Sequence, residues 1–181
     1  MHNAGNTYRR TVAAALVAVG LCAATAAAQP DTQIVGWGQS VLAAQEDLTD
    51  VLQVSAGYNH TLALRADGSI IAWGNNLYGQ CNLSTPNTGF IAVSAGGWAS
   101  GGHSLALRAD GSIVAWGSNG YGQSTVPDPN SGFVAIAAGA DFSAGLKADG
   151  TVVAWGSNAY GQCNVPPPDP DYAVLAVGSY H

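Results

Sequence analysis

One segment of this chain occurs three times. Val54 to Gln80 reads VSAGYNHTLALRADGSIIAWGNNLYGQ, and Ile136 to Gln162 reads IAAGADFSAGLKADGTVVAWGSNAYGQ. Between them, Val93 to Gln123 repeats the pattern with four extra residues. Gly97-Trp98-Ala99-Ser100-Gly101-Gly102 stands there where the first copy has Tyr58-Asn59. The tryptophans Trp73, Trp116 and Trp155 are spaced by 43 and then 39 residues. A period near 40 residues makes each copy one supersecondary unit, which buries its apolar faces by stacking on its neighbours.

Within a copy the pattern is that of short strands. The first is an apolar run, Phe90 to Ala95 or Phe133 to Ala138, ended by a glycine at Gly57, Gly96, Gly139 or Gly178. We expect positive φ at these glycines, where the chain turns sharply. The second strand is His60 to Arg65 or His103 to Arg108, with Leu105 and Leu107 on one side and Ala106 on the other. Asp67-Gly68, Asp110-Gly111 and Asp149-Gly150 then give the hairpin signal. The third strand is Ile70 to Trp73, Ile113 to Trp116 or Val152 to Trp155, with Val114 and Trp116 facing together and Ala115 opposed. Ser124 to Val126 and Asn164-Val165 are expected to add a brief fourth strand, with Pro127 and Pro166 at the sheet edge. Three to four antiparallel strands per copy point to the blades of a β-propeller, so the fold class is all-β.

Only 9% of residues are charged and 24 are glycine, which suits an all-β chain with tight turns. Arg9-Arg10 precede an apolar run to about Ala27, and Ala26-Ala27-Ala28 fits a small-residue cleavage site. This pattern reads as a secretory signal peptide over 1–28, cleaved near Ala28, and as a secreted or periplasmic protein. Without the leader, Arg65, Arg108 and Lys147 face eleven Asp and Glu, a net charge of −8. That balance disfavours nucleic acid and anionic membranes as partners. The rest divides into a strand and linker over 29–51 and repeats over 52–90, 91–132, 133–172 and a partial 173–181. Ile34 to Trp37 reads as a lone strand, Ser40 to Asp50 as a loop with a helical turn, and Leu175 to Val177 as the start of a fourth copy. Cys81 and Cys163 hold equivalent places two copies apart, too distant for a disulfide within this geometry.

The residues Gly57-Tyr-Asn-His-Thr-Leu-Ala-Leu64, followed by Asp67-Gly68 and Ala72-Trp73-Gly74 and closed by Tyr78-Gly79-Gln80, resemble the repeat of the regulator of chromosome condensation family. The resemblance runs from about Ile34 to His181. The short copies are similar to its secreted bacterial branch, which includes a propeller-type β-lactamase inhibitor protein. The resemblance implies a propeller of about seven blades whose face loops carry partner contacts. This chain holds about three blades plus incomplete ends. An open arc, an incomplete chain or half of a closed assembly would each account for that. In the last case a homodimer completes the propeller, with Ile34 to Trp37 of one chain pairing with Leu175 to His181 of the other.

No chemistry converges in the sequence. Gly102-His103-Ser104 lacks the final glycine and the strand-to-helix turn of a nucleophile elbow. His60, His103 and His181 are equivalent, but Phe142 replaces them in the third copy, which fits packing better than metal ligation. Asp67, Asp110 and Asp149 have a turn role. We therefore expect no catalytic residue, no metal and no cofactor. The candidate contact residues are the aromatics after the first strand, Tyr58, Trp98, Phe142 and Tyr180, as anchors on one rim. The reading is a secreted, non-catalytic module that binds a protein. The alternatives are a fragment of a larger propeller without its own activity, and a propeller hydrolase or lyase whose site the sequence does not display.

Overall fold

The computed structural model describes residues 49–99, 101–165, 167–169, 172 and 174–181. The leader, its cleavage site and the Ile34 to Trp37 strand lie outside the described residues. So does the Ser40 to Asp50 loop up to residue 48. The described residues contain nine strands and no helix: β1 Val51–Ala56, β2 His60–Arg65, β3 Ile70–Gly74, β4 Phe90–Trp98, β5 Gly101–Arg108, β6 Ile113–Gly117, β7 Phe133–Ala138, β8 Phe142–Lys147 and β9 Val152–Gly156. They form three antiparallel sheets in the orders β1-β2-β3, β4-β5-β6 and β7-β8-β9. Each sheet is one blade.

The alternation of the strands decides the packing. Leu62, Leu64 and Ile70 of the first blade meet Val93, Ala95 and Ala106 of the second, with Val114 and Trp116 packed against them. Leu105, Leu107 and Ile113 on the other face of the second blade meet Phe133, Ile136 and Trp155 of the third, with Ala115 alongside. The core thus lies between blades, as a stacked array requires. The expected division of Leu105 and Leu107 from Ala106, and of Val114 and Trp116 from Ala115, holds.

The hairpins between second and third strands are fixed locally. Asp67 accepts hydrogen bonds from the Ser69 amide at 2.9 Å and hydroxyl at 2.6 Å, and Gly68 takes φ 78°. Asp110 with Ser112 repeats both bonds, and Asp149 repeats the amide bond with Thr151.

Three expectations change. Among the described residues no fourth strand forms in any blade. The edge of β3 is met instead by Asn87, whose amide both accepts from Ile70 N at 3.0 Å and donates to Ile70 O at 2.8 Å, and Asn130 treats Ile113 alike. A side-chain amide thus protects an edge that a fourth strand would otherwise pair. Residues 174–181 are also not in a strand.

The first-strand glycines differ as well. Gly57, Gly96, Gly139 and Gly178 are not at positive φ. Glycine is needed there for close approach. A Cβ on Gly96 would run into the Gly139 carbonyl of the next blade and the His103 ring, and one on Gly57 would lie 2.8 Å from the Gly96 carbonyl. The inner strands are also tied by rungs. Gln53 donates to Val93 O and accepts from Val93 N, both at 3.0 Å, while Ser55 and Ser94 hydroxyls accept from the amides of Ala95 and Ala138.

Candidate functional site: an aromatic rim

Each blade sends its second-to-third hairpin to one end of the stack and two loops to the other. Arg65, Arg108 and Lys147 finish β2, β5 and β8 at the hairpin end, where Arg108 lies over Phe90 and Lys147 over Phe133. The opposite end, the rim, collects the loops after the inner and outer strands.

The outer loops are rigid. In Tyr78-Gly79-Gln80 the buried Gln80 side chain accepts from Tyr78 N at 2.9 Å and donates to Asn75 Oδ1 at 3.0 Å. Gly79 at φ 79° completes the turn. The Gln123 and Gln162 side chains accept from Tyr121 N and Tyr160 N in the same way. Each loop therefore holds a tyrosine outward: Tyr78, Tyr121 and Tyr160 are exposed. Cys81 and Cys163 close these turns as free thiols, donating to Asn75 O and Ser157 O, the role Ser124 plays toward Ser118 O. Burial raises both thiol pKa values.

The histidines pin one blade to the next. Ser104 donates its hydroxyl proton to Gln80 O at 2.8 Å, and Trp116 Nε1 donates to the same carbonyl. The Ser104 oxygen can then only accept from His60 Nε2 at 2.9 Å, which fixes the Nε2–H tautomer. His103, Ser143, Gln123 O and Trp155 form the second such unit. The Nδ1 atoms of both rings are buried without a partner. Burial lowers the pKa of each to about 4, so both rings are neutral. These side chains serve the framework. Among the described residues no group of three or more His, Cys, Asp or Glu could hold a metal ion.

The four sequence candidates separate. Tyr58, Trp98 and Tyr180 come together: Trp98 lies 5.5 Å from Tyr58 and 6.1 Å from Tyr180 between ring centroids. Phe142 does not join them. It is 1% exposed and opens β8 at the position of His60 and His103, so it belongs to the core and is not a rim anchor. Tyr160 takes the vacant place, edge-on to Tyr180 at 5.5 Å. Its signal was the recurrent Tyr-Gly-Gln, which reads as a turn until the loop is seen to point to the same end.

In the stretch that the middle copy adds, Gly97, Trp98, Gly101 and Gly102 extend the β4–β5 ladder by the rungs Gly97↔Gly102 and Trp98↔Gly101. This arm carries the half-exposed Trp98 across the mouth of the stack, between a residue of the first copy and one of the fourth. Below it, Tyr58, Trp98 and backbone of the Gly57, Gly96, Gly139 and Gly178 turns line a cavity of about 320 Å³. A second cavity of about 250 Å³ lies among Tyr121, Asp141, Tyr160 and Tyr180.

Residues 51–80, 90–123 and 133–162, more than half of the chain, match the family described as the Regulator of chromosome condensation (RCC1) repeat. A segment of 38 residues is 50% identical to the X-linked retinitis pigmentosa GTPase regulator homolog of Caenorhabditis elegans, covering 21% of this chain and 3% of that protein. Prp20p from Saccharomyces cerevisiae is similar in structure, with TM-score 0.52 and 23% identity over 64% of this chain and 34% of that one. The ectodomain of the Physcomitrella patens receptor kinase CR4 has TM-score 0.57 and 22% identity over 72% and 34%. At these identities the likeness is one of fold. The chain spans about a third of those solved chains and 3% of the curated relative.

Proposed function

This chain belongs to the Regulator of chromosome condensation (RCC1) repeat family, and from that premise we propose that it is a secreted or periplasmic, non-catalytic module that grips a protein partner with its aromatic rim. Repeats of this family form propellers that typically mediate protein binding. The observation that carries the finer reading is the contiguous stack Tyr58, Trp98, Tyr180 and Tyr160, exposed and drawn from all four copies.

Tyrosine and tryptophan on rigid turns contribute large contact area at little entropic cost, and Asn, Ser and Gly between them are the other residues of protein-recognition loops. The rim has that composition. Its asparagines are bonded within the loops, as Asn76 to Asn82 and Asn158 to Asn164, so the surface is preorganised. Among the described residues, the repeated groups that could have served catalysis are occupied: His60 and His103 are latched and neutral, and Asp67, Asp110 and Asp149 hold turns at the other end. Hydrogen bonds from Ser69, Ser112 and Thr151 lower the pKa values of those three carboxyls. Export rests on the leader-like sequence over 1–28.

The test is capture of extracellular or periplasmic proteins on the immobilised full chain, with identification and affinity measurement. Trp98→Ala is expected to weaken the captured complex by about 2 kcal/mol or more. Unchanged affinity in that variant would remove the rim from the function. N-terminal sequencing of the exported protein is expected to begin near Gln29; an intact Met1 would contradict export through this leader.

A further inference from the structure

The cavity of about 320 Å³ beneath the Trp98 arm is built mostly of backbone. Its lining includes the four glycine turns and the small residues Ala56, Ala95 and Ala138 that precede three of them. Tyr58 and Trp98 are the aromatic residues among its lining, and no described residue there carries a charged side chain.

The amides of these turns are spent within the protein. Gly57 N donates to His60 O at 2.9 Å, Gly139 N to Phe142 O at 2.9 Å, and Gly178 N to His181 O at 2.7 Å. Gly97 N donates to Gly139 O at 2.9 Å, which ties the middle turn to the next. The backbone groups that these four residues have left for a ligand are carbonyls.

That accounting sorts the ligands by chemistry. An anion needs free N–H donors, such as a backbone nest presents. A cation drawn in here would find no carboxylate in the lining to pair with. A pure hydrocarbon group would take carbonyls out of water and give no donor in return. A neutral group with an N–H or O–H meets all three conditions. The volume stands at the lower bound, roughly 300 Å³, of pockets for small molecules, and suits one large side chain. Tryptophan and tyrosine join a large neutral body to a donor, and such anchors tend to meet their like across interfaces.

We propose that this cavity is the socket for a tryptophan or tyrosine side chain of the protein partner, whose N–H or O–H donates to carbonyls of the glycine turns. The assignment rests on the rim being the protein-binding surface, and it makes the glycine turns the part of that surface that selects the partner's anchor residue.

The test is an NMR titration of the full chain with the blocked peptide Gly-Gly-Trp-Gly-Gly. Its counterparts carry 1-methyltryptophan, which keeps the ring and loses the N–H, or arginine or glutamate. The tryptophan peptide is expected to shift the amides of Gly57, Gly97, Gly139 and Gly178, and to bind about tenfold tighter than each counterpart. Ala56 is exposed and lines the cavity, so Ala56→Leu narrows the socket without entering the core, and should abolish that preference. The peptide comparison on the parent chain needs no variant. Equal binding of tryptophan and 1-methyltryptophan, tighter binding of the arginine or glutamate peptide, or a preference that survives Ala56→Leu would each overturn the proposal. A captured protein that is lost on Trp98→Ala yet indifferent to Ala56→Leu would overturn the socket and leave the rim intact. Tryptophan-selective shifts at the glycine turns, with a captured protein indifferent to both variants, would uphold the chemistry of the socket and remove the rim as the protein-binding surface.

Discussion

At the scale of single residues the fold depends on small groups that touch the neighbouring blade. His60 and His103 are neutral with pKa values near 4, lowered by burial. The unfolded chain takes up protons at both near pH 6.5, so it binds more protons than the folded chain between pH 6.5 and 4. Stability is therefore full above pH 6.5 and falls as pH drops through that window. The aspartate turns, with lowered pKa values, act in a separate window below the ordinary carboxylate range. Thermal melts of His103→Phe should show less loss between pH 7.5 and 4.5 than the parent, by on the order of 2 kcal/mol. Phe142 shows that the site accepts phenylalanine. An unchanged loss would mean His103 is not the acid-sensitive group. Gly96→Ala should cost about 1–3 kcal/mol in denaturant unfolding, because the new methyl meets the Gly139 carbonyl, whereas Gly120→Ala has open space and should be near neutral. The sequence displayed the His-Thr, His-Ser and Phe-Ser pairs. It could not show that each histidine serves the hydroxyl of the following blade.

At the scale of elements, what the sequence made legible was whatever a local period controls. Strand alternation divided Leu105 from Ala106, and Asp-Gly marked each hairpin. What it concealed depended on pairing across distance. The short runs Ser124 to Val126 and Asn164-Val165 suggested a fourth strand, but in the first two blades Asn87 and Asn130 occupy that edge from 17 residues away. The inserted glycines around Trp98 suggested a loop, but their register continues the β4–β5 ladder. Glycine's lack of a side chain hid that continuity, since Gly97 and Gly101 sit at φ 130° and 136° within it. Replacing Gly97–Gly102 by the Tyr-Asn of the first copy should therefore leave the blade folded, because the ladder still ends at Gly96↔His103. Far-UV circular dichroism should be retained, while the near-UV aromatic signal falls as the stack loses its central ring. Loss of both would show that the arm is needed for folding.

For the whole molecule, the repeat announced three blades and the structure has three, with the core between them. Trp155 is buried between the second and third blades, and Trp155→Ala should cost about 3–5 kcal/mol, while Trp98→Ala should leave stability nearly unchanged. The sequence could list aromatics, but only the stack could sort them. It buried Phe142, gathered Tyr58, Trp98 and Tyr180, and added Tyr160 from a turn. Everything proposed about function depends on that gathering of residues from four copies. The direct measurement is a nuclear Overhauser spectrum of the aromatic protons in the folded chain. Cross-peaks from the Trp98 indole to both the Tyr58 and Tyr180 rings are predicted, with the Trp98 indole N–H exchanging quickly and that of Trp155 slowly. A Trp98 indole that contacts only its own hairpin, with neither tyrosine beside it, would contradict the rim.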